Sequence, residues 1–138
     1  MVEDNAEDAE LVLRALEKCG FGDRVAHVTD GDEALDYVAG TGVFARSGLA
    51  TAPKLILLDL GLKKLSGAHV LRKLKLDART KGIPVVALTG STVAIQLAES
   101  YKLGVNSYVI KPTSSDEFNK LVAKIGQYWL EINQPPPP

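Results

Sequence analysis

The chain is poor in the residues that staple, anchor or strongly charge a protein. Its 138 residues include one cysteine, Cys19, so no internal disulfide can form. That thiol falls on the apolar stripe of the first predicted helix, as a buried thiol in a reducing cytoplasm does. No apolar run is long enough to cross a bilayer, and the first residues carry no signal-peptide pattern, so no membrane association is expected. A net charge of −1 supplies no field to attract nucleic acid or an anionic membrane. Arg72, Lys73, Lys75, Arg79 and Lys81 alternate with Leu71, Leu74 and Leu76, the pattern of a solvated helix face. The only histidines, His27 and His69, have no cysteine or acid at metal-binding spacing and read as surface or structural residues.

What is present is chemistry at the ends of apolar runs. Asp59 closes the run Leu55-Ile56-Leu57-Leu58, which reads as a parallel strand buried on both faces. An unpartnered carboxylate inside a core costs several kcal/mol. Asp59 therefore belongs where the strand emerges, in the crevice at the carboxyl end of a parallel sheet, or else serves as a loop or capping aspartate. Glu3 and Asp4 follow Val2, Thr89 ends Pro84-Val85-Val86-Ala87-Leu88, and Lys111 follows Tyr108-Val109-Ile110 and precedes Pro112. If these runs share one sheet, the acids, the hydroxyl and the ammonium meet on one rim.

Apolar periodicity alternates between helix and strand, which predicts a βα repeat and a doubly wound α/β fold. The first helix begins near Asn5 or Ala6, faces inward through Ala9, Val12, Leu13 and Leu16, and stops at Gly20. Strands are predicted near residues 24–29, 55–58, from Pro84, and 107–110. Helices are predicted from Asp30-Gly31 to Gly40, over 66–77, and over 92–103, with a loop at 41–52. The last helix opens with Ser114 and Glu117 at capping-box spacing. It turns Phe118, Leu121, Val122, Ile125, Tyr128 or Trp129, and Ile132 inward. Gly126 within that pattern costs about 1 kcal/mol relative to alanine and implies a partner or close packing. One domain, residues 1–133, is expected, followed by a proline-rich tail, 134–138, in extended form.

The stretches VEDN, LILLDL, VVALTG and YVIKP, in this order, resemble the response-regulator receiver domain of two-component signalling. DGDEALDYV, LGVNSYVIKP and QYWLEINQPPP are more narrowly similar to stand-alone regulators that partner bacterial phytochrome kinases. The resemblance implies a flavodoxin-like five-stranded parallel sheet in the order 2-1-3-4-5. It implies a cytoplasmic protein in which Asp59 accepts a phosphoryl group from a sensor histidine kinase, with Thr89 and Lys111 contacting the phosphoryl oxygens. Such a protein assists its own phosphorylation and dephosphorylation and is not otherwise an enzyme. Mg²⁺ is implied, with Asp4 and Asp59 as direct ligands, Glu3 acting through water and Gly61 contributing its backbone carbonyl. Two carboxylates about 4 Å apart repel by roughly 4 kcal/mol at an effective dielectric of 20, an obstacle that a divalent cation removes. The resemblance also implies a cis Lys111-Pro112 bond and a Tyr108 that swings inward, although an exposed strand tyrosine fits the sequence equally. Finally, it implies a homodimer through the face of helix four, strand five and helix five, with Tyr128 and Trp129 as candidate anchors.

The chain departs from the family at its start, where Met1 and Val2 alone precede the acids. The first strand is truncated, and residues ahead of Met1 are expected to complete it. Lys63 stands where the family usually has proline, and Gly61 offers no side chain to screen the site. A haloacid-dehalogenase-type phosphatase needs a second acid two residues after the nucleophile, and that position is Gly61. A flavodoxin needs a hydroxyl- and glycine-rich phosphate loop where Glu3-Asp4-Asn5 stands. The remaining alternative is a receiver-like interaction module that acts without phosphorylation.

Overall fold

A computed structural model describes residues 1–45 and 52–137. Helix α1 (Ala6–Lys18) starts where Asn5 accepts a hydrogen bond from the Asp8 amide, with Glu7 and Asp8 in its positive first turn. Helix α2 (Gly31–Ala39) is capped by Asp30 and ends at Gly40, whose φ of 67° needs no Cβ. Strand β1 (Ile56–Asp59), helix α3 (Gly67–Leu76), strand β2 (Val85–Thr89), helix α4 (Ala94–Lys102), strand β3 (Ser107–Ile110) and helix α5 (Ser115–Gln127) follow.

The three strands are parallel in the order β1-β2-β3, with Asp59 level with Leu88 and Thr89 level with Ile110. Every residue of β1 and β2 is buried, because helices cover both faces. Leu57, Val86 and Leu88 pack with Val12 and Leu16 of α1 and Phe118, Val122 and Ile125 of α5. Leu58, Val85 and Ala87 pack on the other face with Ala34 of α2 and Val70, Leu71 and Leu74 of α3.

The sequence predicts five strands, and the described residues form three. Val2 still bridges Val28 on one side and Leu58 on the other, both parallel. These are isolated bridges rather than strands, so the five-stranded order 2-1-3-4-5 is not formed among the described residues. Met1 and Glu3 bond to the backbone of Ala26 and Val28, no strand forms over 25–27 among the described residues, and Gly22–Arg24 coil into a 3₁₀ turn. A cavity of about 460 Å³ opens there between Val25-Ala26 and Leu55-Ile56. Met1 lines it, and its ammonium donates to the Ala26 carbonyl at 2.8 Å. Burial lowers that amine to about 6.

Other boundaries shift for local reasons. Helix α4 begins at Ala94 rather than near Thr92, because Ser91 Oγ accepts the Val93 amide and holds the chain in a turn. The predicted loop contains a 3₁₀ turn at Gly42–Phe44, and residues 46–51 of that prediction lie outside the described residues. Cys19 is half-buried against the α1–α5 core. Helix α5 widens into a π-helical turn at Tyr128–Ile132, which rotates Tyr128 and Ile132 to the surface and leaves Trp129 partly packed on the core. The inward stripe is therefore Phe118, Val122, Ile125 and Gly126, with Leu121 at its margin. Gly126 is explained by close packing: a Cβ there would lie 3.0 Å from Leu16 Cδ2.

Candidate functional site

The site is built from the carboxyl ends of the strands and the bridge at Val2. The Asp59 amide donates to the Val2 carbonyl at 3.0 Å, and the Glu3 amide donates to the Val28 carbonyl at 3.1 Å. These bonds set the acids beside Asp59. Carboxylate oxygens of Glu3, Asp4 and Asp59 all lie within 4.8 Å of one another. Lys111, one residue past β3, brings Nζ within 2.9 Å of Glu3 Oε2 and 3.7 Å of Asp59 Oδ1. Thr89 is buried at the end of β2 and accepts the Ser91 amide on Oγ1. Glu3, Asp4, Asp59 and Lys111 thus gather on one rim, and Thr89 ends the neighbouring strand β2.

Each acid is held by a neighbour. Glu3 Oε1 accepts the Asn5 amide, and His27 Nε2, 2.9 Å from the Glu3 carbonyl oxygen, ties down the backbone. Asp59 Oδ1 accepts the Gly61 amide at 2.9 Å. Asp4 Oδ2 accepts the Lys63 amide, also at 2.9 Å. A proline at position 63 could not make that bond, since it has no N–H. Gly67 opens α3 so close to β1 that a Cβ would lie 2.4 Å from the Asp59 carbonyl oxygen.

Burial raises the Glu3 carboxyl to about 7, opposed by Lys111 and reinforced by the charge and hydrogen bonding of Asp59. Burial works against the Lys111 ammonium, but the hydrogen bonds it donates to Asp8 and Glu3 and the charges of Glu3 and Asp59 outweigh it, and its pKa is raised. Three hard carboxylate ligands, one of them pushed toward its neutral form by burial, fit a small divalent cation.

Two sequence expectations need revision. No peptide bond among the described residues is cis, so Lys111-Pro112 is trans. The trans form is the base preference of X-Pro bonds, and Lys111 Nζ reaches the acids from it. The second concerns Asp8, which sequence reading passed over and which holds Lys111 Nζ at 2.9 Å. The available signal was helical spacing: Asp8 lies one turn beyond Asp4 at the start of α1.

Tyr108 is half-buried. Its hydroxyl donates to Gln96 Oε1 at 3.0 Å and approaches the Ser91 carbonyl at 3.3 Å. Ser91 in turn donates its amide to Thr89. A continuous polar path therefore runs from Thr89 to α4.

A sheet of parallel strands with an acidic rim, a buried hydroxyl and a lysine past the last strand defines a receiver-type α/β protein. The family profile for the response regulator receiver domain matches residues 1–123, and the chain belongs to that family. It is 41% identical over 138 residues to the probable methanogenesis regulatory protein FilR2 of Methanothrix harundinacea, covering all of this chain and 86% of that protein. It is 35% identical to the response regulator Rcp1 of Synechocystis, covering 95% of this chain and 87% of that protein. Among solved structures, the phosphorylated cyanobacterial phytochrome response regulator RcpA superposes with a TM-score of 0.90 at 38% identity, over 99% of this chain and 95% of that one. The match spans most of the length of each of these three proteins, and the fold is flavodoxin-like.

Proposed function

We propose that this protein is a single-domain phosphoacceptor switch. The observation that carries this reading is Asp59 at the strand end, flanked by Glu3 and Asp4 within 4.8 Å and by Lys111 at 3.7 Å. The Asp59 oxygen not taken by the Gly61 amide attacks the phosphorus of a kinase phosphohistidine. The P–N bond breaks, the aspartyl P–O bond forms, and the imidazole leaves with a proton. Mg²⁺ held by Asp4, Asp59 and the Gly61 carbonyl, with Glu3 acting through water, would supply charge neutralisation for the transferring group. The solved structure of the Mn²⁺-bound form of response regulator Rcp1 is consistent with a divalent cation in such a site. Lys111 pairs with one phosphoryl oxygen and Thr89 donates its hydroxyl to another.

The readout would pass from Thr89 through Ser91 and Tyr108 to Gln96 on α4, biasing a pre-existing equilibrium between inactive and active forms. Val93, Ile95, Leu97, Tyr101 and Ile110 leave apolar surface exposed on α4 and β3. That surface supports a homodimer through the α4–β3–α5 face. A phytochrome-type histidine kinase is the proposed phosphodonor, by analogy with RcpA, and the cytoplasm the proposed compartment.

Intact mass after incubation with Mg²⁺ and acetyl phosphate tests the core of the reading. One added phosphoryl group is expected, absent in Asp59→Asn. No added mass in the parent protein, or mass that persists in the variant, would favour an interaction module without phosphoryl chemistry.

A further inference from the structure

We infer that Asp8 is a resting-state counterion that competes with the incoming phosphoryl group for Lys111. The inference rests on the phosphoacceptor reading and deepens it. Lys111 Nζ lies equally close to Glu3 and Asp8, 2.9 Å each, and farther from Asp59 at 3.7 Å. The two near acids come from either end of the first six-residue stretch after Val2, and they clamp the ammonium between them. Asp8 is fixed for this purpose, because its own amide is held by Asn5 Oδ1 at 2.9 Å.

The ammonium has three donors. In the resting chain two are spent on Glu3 and Asp8, and the long contact to Asp59 is the weakest of the three. A phosphoryl oxygen on Asp59 enters on that weak side. The third donor is free to meet it, and moving Nζ in from 3.7 Å draws it away from Glu3 or Asp8. Glu3 is buried and cannot be rehydrated when released, whereas the Asp8 side chain is one-third exposed. Asp8 also borders a cleft of about 70 Å³ shared with Lys111, Thr113 and Ser114, wide enough for water to take the place of the ammonium. Asp8 is therefore the partner that Lys111 gives up. Its charge sets how readily the lysine becomes available, without touching the reacting atoms itself, so it is a positioning residue.

Beryllofluoride binding in saturating Mg²⁺ measures this competition at equilibrium. Asp8→Asn should bind beryllofluoride roughly threefold to fivefold more tightly than the parent, the scale of one partly exposed ion pair. Glu7→Gln removes a charge from the same helical turn away from Lys111 and should change affinity less. In a Lys111→Gln background the gain from Asp8→Asn should vanish. The inference is overturned if Asp8→Asn and Glu7→Gln behave alike, or if the gain survives without Lys111. If Lys111→Gln binds too weakly to measure, the comparison of Asp8→Asn with Glu7→Gln decides. A parent protein that binds no beryllofluoride and gains no phosphoryl mass would defeat the phosphoacceptor reading itself, and this inference with it.

Discussion

The first residue of α3, Gly67, presses directly on the backbone of Asp59: a Cβ there would sit 2.4 Å from the Asp59 carbonyl oxygen and 2.6 Å from Leu60 Cα. Backbone atoms cannot yield as a flexible side chain can. Gly67→Ala should therefore push α3 and the end of β1 apart, costing about 1–3 kcal/mol of stability. Because the displaced segment carries Asp59, phosphoryl uptake from acetyl phosphate should fall as well. Chemical denaturation and intact mass read the two effects, and an alanine variant matching the parent in both would refute the tight contact.

Glu3 makes the site sensitive to pH. Its carboxyl sits at about 7 against an ordinary 4.5. Between those values the folded chain holds a proton that the unfolded chain releases, so this group makes stability fall as pH rises through the window. A divalent cation takes the proton's place, so apparent metal affinity should climb as pH approaches 7 and level off above it. The Met1 amine acts with the opposite sign, being lowered to about 6 from 8.0. Between 6 and 8.0 the unfolded chain binds the extra proton, and stability rises with pH. Glu3→Gln should abolish the first slope and leave the second, as followed by thermal denaturation across pH with and without Mg²⁺.

The cavity beside Val2 weakens the sheet where it should be strongest. It is one strand wide, since Val2 itself spans the distance between Val28 and Leu58. Fusing a short β-branched apolar segment ahead of Met1 should fill it and move the terminal charge out. A rise in Tm of roughly 5 °C or more is expected, while a glycine-serine segment of equal length should have little effect. Equal Tm values for the two fusions would show that the space does not accept a strand.

The apolar surface of α4 offers a direct test of self-association. Ile95 is 74% exposed in the midst of Val93, Leu97 and Tyr101. Placing a charge there with Ile95→Glu should weaken any phosphorylation-dependent dimer about tenfold or more, the effect of losing an interface anchor. Sedimentation velocity with beryllofluoride and Mg²⁺ would show it. An unaltered dimer would move the interface elsewhere.

The rim chemistry was legible in the sequence because each reactive residue ends an apolar run, and a parallel sheet brings such ends together. Asp59 and Thr89 end strands whose burial could be read from Ile56 and Val86, while Lys111 follows the half-buried strand β3. Helix starts were legible where Asn5, Asp30, Ser66 and Ser114 cap them. Less legible were features set by distant partners. Residues 24–29 have strand-like composition, but strand structure needs a paired neighbour, and among the described residues that pairing is a single bridge at Val28. The π-helical turn that exposes Ile132 has no signature in apolar spacing, which assumes an unbroken α-helix. Asp8 went unread because it stands among the acids of a first helical turn, and its hold on Lys111 depends on a residue 103 positions away.

The bare Cα of Gly126 has a mechanical consequence. With no side chain at that position, α5 lies directly against the Leu16 methyl of α1. The helix that bears Gly126 and the helix whose Asp8 carboxylate grips Lys111 are thereby neighbours across one glycine-sized contact.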